Sequence, residues 1–293
     1  MTLRDYLAQQ QRLVDSELDR LVPPETAPPE TIHRAMRYSL FAGGKRIRPI
    51  LCLEAARCVS DDGDAAISAA CSLELIHTYS LIHDDLPALD NDDYRRGKLT
   101  NHKVFGEAMA ILAGDALLTR AFQVLGALDA PAERKARLLT ELAVASGTAG
   151  GMIGGQVADL EGEGQLPTAE LLESIHRAKT GALLRASLRM GAIFAAASEE
   201  QYTQLSCYGE HMGLAFQIVD DLLDVEESSA TLGKTAGKDA QQHKITFPAV
   251  YGLERSHQMA EQECALAHRA LGCFGERALR LHELADHIVR RRS

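Results

Sequence analysis

Apolar residues recur along this chain at the three- and four-residue spacing of helices that bury one face, beginning with Leu3, Leu7, Val14, Leu18 and Leu21. Helix-length segments of this kind continue to the end without convincing period-two alternation, so the pattern predicts an all-α protein. Pro23-Pro24 through Pro28-Pro29 reads as a short turn between helices. Gly43-Gly44, Gly150-Gly151, Gly154-Gly155 and the stretch from Ser228 to Gly237 punctuate later segments, the last as a mobile lid. No linker divides the sequence, which predicts a single domain over residues 1–293 with helices surrounding a central cavity. Two segments, Leu73 to His83 and Met212 to Val219, are too apolar for surface helices.

Both apolar segments run into carboxylates. Asp84-Asp85-Leu86-Pro87-Ala88-Leu89-Asp90 follows the first and Asp220-Asp221-Leu222-Leu223-Asp224 the second, so the acids sit where buried helices are expected to emerge into a cavity. Asp220 and Asp224 are four apart and share one helix face, with Asp221 beside them. Asp84 and Asp90 are six apart, about 240° around an ideal helix, so they can serve one ion only if the backbone leaves the helix. Pro87 supplies the departure, because it lacks an N–H and crowds the preceding turn. The helix is therefore expected to end or kink near Pro87 and swing Asp90 back toward Asp84. Magnesium takes a few carboxylate oxygens and completes its shell from water and phosphate, so the two clusters suggest metal-loaded jaws closing on one diphosphate.

Cations cluster near these acids. Gly43-Gly44-Lys45-Arg46-Ile47-Arg48-Pro49 packs three of them behind two glycines that permit close backbone approach, and Arg95-Arg96-Gly97 follows the first acidic cluster. Lys179-Thr180-Gly181, Lys234, Lys238 and Lys244 are further candidates, whereas Arg46 reads as structural. With 41 Asp and Glu against 31 Lys and Arg, the net charge is −10. That field repels a nucleic acid, while local cations beside metal sites suit small phosphates. Six cysteines show no CxxC pair or zinc spacing and read as small core residues in a reducing compartment. The chain opens without an apolar leader, and no apolar run reaches the roughly 18 residues of a membrane span, so a soluble, cytoplasmic protein without stable membrane insertion is expected.

Taken in order, Gly43 to Pro49, His77, the DDxxxxD cluster with Arg95-Arg96-Gly97, Gly155-Gln156-Val157-Ala158-Asp159, Lys179-Thr180, Gln217 with DDxxD, and Lys244-Ile245-Thr246-Phe247-Pro248 resemble the trans-polyprenyl diphosphate synthases. The resemblance spans roughly residues 30 to 250, and it is nearest to the bacterial farnesyl diphosphate synthases, whose two-residue insertion in the first acidic motif this chain carries as Pro87-Ala88. It implies an all-α, single-domain isoprenoid-synthase-type helical bundle and a homodimer. It assigns Asp84, Asp85, Asp90 and Asp220, with Asp221 and Asp224 in support, to three magnesium ions on an allylic diphosphate. Arg95, Lys179, Lys234 and Lys244 complete the shell around that leaving group. Lys45, Arg48, His77 and Arg96 are implied to hold isopentenyl diphosphate, and Thr180 and Gln217 to offer oxygen dipoles to the allylic cation. Departing diphosphate is the implied base, in keeping with the lack of an obvious dedicated Asp or His base, and the lack of a recognisable nucleophile dyad argues against covalent catalysis.

In such enzymes the product grows along the helix before the first acidic motif, and bulk there stops elongation. Tyr79 lies five residues before Asp84, roughly 7.5 Å along the helix and about 140° around it, so its ring is expected to intrude from the side and favour a fifteen-carbon product over a twenty-carbon one. A terpene cyclase has no second diphosphate to hold, which the Gly-Gly-Lys-Arg-Ile-Arg stretch argues against. A noncatalytic subunit is expected to lack one acidic cluster, and both are whole. A calcium scaffold would need an oxygen-ligand loop that is absent. Ile245 stands where relatives often carry a small polar residue, and the terminal Arg290-Arg291-Arg292-Ser293 gives no reading.

Overall fold

The fold rests on two helices that have almost no polar side. In the computed structural model, which describes residues 1–162, 168–230 and 245–290, α3 (Ile47–Val59) buries nine of its thirteen residues and α4 (Ile67–Asp84) eleven of its eighteen. A helix buried on all faces needs other helices around it. On one side stand α1 (Leu3–Leu21), α2 (Glu30–Leu40), α6 (Glu107–Gly126) and α7 (Ala132–Ser146), whose apolar faces share one core with α4. On the other, α10 (Ala182–Phe194) and α11 (Glu199–Ala230) pack with α13 (Leu253–Ala270) and α14 (Leu279–Arg290) against α3. A third, smaller core joins α9 (Ala169–His176), α11 and α12 (Phe247–Tyr251). The short α5 (Asn101–Phe105) leads into α6, and α8 (Met152–Gly162) lies against the α9–α10 junction.

The all-α expectation therefore holds, with a small exception. Tyr94–Arg95 and Lys98–Leu99 form an antiparallel ribbon of two two-residue strands, β1 and β2, too short to leave a period-two signal. The proline-rich stretch after α1 is the turn that the sequence predicts. Three expectations need correction. The stretch read as a lid does not begin at Ser228: α11 continues past Asp224 to Ala230, because Leu222 to Glu227 contains no residue that breaks a helix. The segment Gly63–Asp84 and helix α6 are in fact long and apolar enough to cross a membrane by length and composition, the first being 67% buried inside the protein. Finally, Cys52, Cys58, Cys71 and Cys264 are buried but Cys273 is exposed, so the cysteines are not uniformly core residues.

Candidate active site

α4 ends at Asp84, three residues before Pro87, and the chain then folds back on itself. The Asp90 N–H donates to the Asp84 carbonyl at 2.8 Å, Asn91 to Leu86 at 3.1 Å and Asp92 to Asp85 at 3.2 Å, with Asn91 in the left-handed region at φ 50°. This is the return of Asp90 toward Asp84 that the six-residue spacing required. Burial, reinforced by the neighbouring Asp90 carboxylate, pushes the Asp84 carboxyl up to about 6. Asp85 is buried beside it and is also pushed up to about 6 by desolvation, although Arg95 donates to its Oδ1 at 2.7 Å from both Nε and Nη2. Carboxylates kept this close and this dry have a standing preference for a hard cation among them.

The same face of α4 carries Glu74, His77 and Asp84 at spacings of three and seven residues, and it forms a wall of two cavities. The first, about 600 Å³, is lined by Gly43, Gly44, Lys45, Arg48, His77 and Arg96. The second, about 540 Å³, is lined by Tyr79, Ser80, Asp84, Leu118, Lys179 and Thr180, with Arg48 and His77 shared between the two. The first is cationic and the second largely aliphatic below its charged mouth. Burial and then Arg48 hold the His77 imidazole well below its ordinary range, so it stands neutral against the cations. Burial and then the repulsion of Arg96 also act on Arg48, whose Nε is buried without a partner. Such a donor is suited to an arriving anion.

The two glycines of the basic motif serve a different neighbour than the sequence suggests. The Arg96 guanidinium donates to the Gly43 carbonyl, and a Cβ on Gly44, at φ 137°, would stand 2.6 Å from Arg96 Nη1. The close approach is that of an arginine from the β1–β2 turn. Arg46 borders the first cavity, but its guanidinium is fully engaged, as its structural reading anticipates: its donors go to Asp15 at 2.7 Å, Glu74 at 2.8 Å and the Leu40 carbonyl at 2.7 Å.

Lys179 and Thr180 sit on a π-helical turn, Arg177–Gly181, that joins α9 to α10. Wide turns of this kind are frequent at functional positions. The turn packs on Gly155, where a Cβ would run into the backbone nitrogen of Lys179. Lys179 Nζ donates to Asp159 at 2.6 Å. Burial pulls its ammonium down, but Asp159, with Asp84 and Asp90 beyond it, outweighs that pull and holds it above its ordinary value. In the second cluster Asp221 is buried and engaged: Gln217 Nε2 donates to Oδ1 at 2.9 Å and the Phe247 N–H to Oδ2 at 2.9 Å, so it ties α11 to the start of α12. Asp220 lies close enough to Arg48 to oppose the depression of its charge. Asp220 and Asp224 remain half-buried on α11.

The structure thus places Asp84, Lys179, Thr180 and Tyr79 along one cavity, with Asp85, Asp90 and Arg95 in the electrostatic surroundings of Asp84, and Lys45, Arg48, His77 and Arg96 along the other. Lys234, Lys238, Lys244 and most of the expected lid lie outside the described residues. Two participants were not singled out from sequence. Asp159 pairs with Lys179, and Glu74 is the buried anion beneath the arginines; its signal was a lone acid in an otherwise apolar run.

Comparison with known proteins bears on the family. The polyprenyl synthetase family profile matches residues 29–270. The chain is 49% identical over 294 residues to geranylgeranyl pyrophosphate synthase 12 of Arabidopsis thaliana, covering 98% of this chain and 81% of that protein. It is 46% identical to the farnesyl diphosphate synthase of Geobacillus stearothermophilus, covering 92% of each. Among solved structures, an FPP/GFPP synthase from Zymomonas mobilis superposes with a TM-score of 0.87 at 36% identity over 98% of both chains. With acidic and basic motifs converging on adjoining cavities in an all-α fold, and with relatives of this closeness along nearly its whole length, the chain belongs to the polyprenyl synthetase family, as a trans-prenyl diphosphate synthase.

Proposed function

We propose that the protein condenses isopentenyl diphosphate head to tail (1′–4) with dimethylallyl and then geranyl diphosphate, releasing (2E,6E)-farnesyl diphosphate, and that it acts as a homodimer. The observation that carries the product length is Tyr79. Its side chain is 5% exposed, packs edge-on to His83 with centroids 5.7 Å apart, and lines the 540 Å³ cavity beneath Asp84. A ring pinned in the wall limits how far an elongating chain can descend. The dimer is supported by Leu99, Val104, Ile111 and Leu112 around α5 and α6, large apolar side chains that are 42–53% exposed.

The donor set fits magnesium, being hard carboxylate oxygen throughout. Asp84, Asp85 and Asp90 on one side and Asp220 on the other, supported by Asp221 and Asp224, would hold three ions. When bound, magnesium supplies positive charge to the departing allylic diphosphate. Arg95, released from Asp85, and Lys179, held charged by Asp159, bind that diphosphate and stabilise the charge that grows as the C–O bond breaks. Lys234 and Lys244 join them. Lys45, Arg48, Arg96 and neutral His77 bind the diphosphate of isopentenyl diphosphate, which does not ionise. Binding both partners turns a bimolecular attack of alkene on cation into a positioned one. Thr180 and Gln217, the latter oriented by Asp221, turn oxygen dipoles toward the cation, and the apolar wall excludes water. The final proton leaves to the released diphosphate.

Chromatography of the product made from labelled isopentenyl diphosphate and dimethylallyl diphosphate tests this reading: a metal-dependent fifteen-carbon product supports it. A twenty-carbon product would retain the chemistry and overturn the chain length, and no condensation would overturn the reaction itself. Tyr79→Ala is expected to shift the product to twenty carbons or more, and a variant that still stops at fifteen would place the floor elsewhere. Gly155→Ala is expected to lower kcat on the order of 10²-fold, since a shift of about 1 Å in the Lys179 turn is enough for that loss. Unchanged kcat in that variant would show that the turn does not depend on the close packing.

A further inference from the structure

Outside the lining of the two cavities, the C-terminal helix pair gathers residues of another chemistry. Cys264 and His268 lie four apart on α13, and His282 and Asp286 four apart on α14, so each pair occupies one face of its helix. One ligand atom each from Cys264, His268 and Asp286 falls within 4.8 Å of the other two. His268 bonds through Nε2 to Asp286 Oδ1 at 2.9 Å and through Nδ1 to His282 Nδ1 at 2.6 Å, with the two rings stacked at 4.9 Å. Cys264 is 7% exposed, and its thiol is pushed up by burial and then by Asp286. Arg290 Nη2 lies 3.9 Å from the other Asp286 oxygen and orients it.

We propose that Cys264, His268 and Asp286 form a binding site for a zinc-class transition-metal cation, with His282 as the positioning residue behind His268. Sulfur and imidazole donors select such a cation over magnesium, and three protein ligands leave a fourth tetrahedral position for water. The ring pair makes the exchange consistent. Without metal, Nε2–H of His268 donates to Asp286, and Nδ1–H of His282 donates to His268. With metal on Nε2, His268 carries its proton on Nδ1 and donates it to His282, whose proton moves to Nε2. Each ring keeps one proton, and the thiol releases one as it becomes thiolate. His282 thereby gives a metal-ligating histidine the outer hydrogen bond that fixes its tautomer. The cation would clasp the ends of two helices whose apolar faces share one core. A cysteine-pair search of the sequence does not reveal this set, because its ligands come from two helices and only one is cysteine.

The test uses full-length, tag-free protein stripped with chelator and titrated with cobalt(II) in excess magnesium, which keeps cobalt from the carboxylates. The expected result is one cobalt per chain with a thiolate-to-cobalt charge-transfer band, removed by one equivalent of zinc, and a metal-dependent rise in Tm. Cys264→Ser is expected to abolish the band, Asp286→Asn to weaken binding, and His282→Gln to weaken it about 10–100-fold. All three are expected to fold and to condense substrate at the unmodified rate, since none lines either cavity. Absence of the band, or a band that survives in Cys264→Ser and so arises from another thiol, would overturn the proposal.

Discussion

Replacing Asp84 or Asp220 by asparagine is expected to cut condensation on the order of 10²–10³-fold, the scale on which one group facing developing charge contributes. The loss should occur without loss of fold. Asp84 holds its proton to about 6 in the folded chain against 3.8 ordinarily, because burial and then Asp90 disfavour its charge. Between those values the unfolded chain binds fewer protons than the folded one, so stability falls as pH rises through the window and stays at the lower level above it. An asparagine removes that burden, and the metal-free Asp84→Asn protein should therefore melt at or above the unmodified Tm at pH 8. Activity within tenfold of the unmodified protein would remove Asp84 from the diphosphate site, and a large drop in Tm would mean that the loss of activity was structural.

A second large effect is expected from Glu74→Gln. Glu74 is 2% exposed and accepts from Arg46 Nη1 at 2.8 Å, and its charge also supports Arg48 and Arg96 against the depression caused by burial. Glutamine keeps the shape and an accepting oxygen but leaves buried cations without their anion. Breaking a buried charge pair in this way costs about 3–5 kcal/mol. At roughly 2–4 °C per kcal/mol for a chain somewhat smaller than this one, Tm should fall by about 6–20 °C. Inorganic diphosphate should recover more of the loss in this variant than in the unmodified protein, since it returns negative charge to the same arginines. A Tm within 2 °C of the original would show that Asp15 and the Leu40 carbonyl suffice for Arg46.

How far the sequence discloses the site depends on whether the cause is local. The return of Asp90 is legible because six residues cannot close on a helix and Pro87 must interrupt one. The burial of Tyr79 follows from the apolar run of α4. The pairing of Arg95 with Asp85 across the returning loop, the bond of the Phe247 N–H to Asp221, and the close approach of Arg96 to Gly43-Gly44 are set by segments that meet only in the fold. The membrane-length hydropathy of α4 and α6 leaves no unbroken apolar run in the sequence, since in α4 Ser72, Thr78 and Ser80 interrupt it at little cost in hydropathy.

The π-helical turn at Arg177–Gly181 was the least legible feature, since its residues differ little from those of an ordinary helix and its cause lies across the bundle at Gly155. It also makes chain length there as constrained as chemistry. Deleting one residue would return the segment to ordinary helical winding: a turn closed by i→i+5 bonds holds one residue more than an α turn, so α10 would keep nearly its orientation while Lys179 and Thr180 lose the wide turn that aims them. The buried face of α10 would then survive and the aim of Lys179 would not, so in a stretch that reads as plain helix a one-residue deletion is expected to cost activity rather than fold.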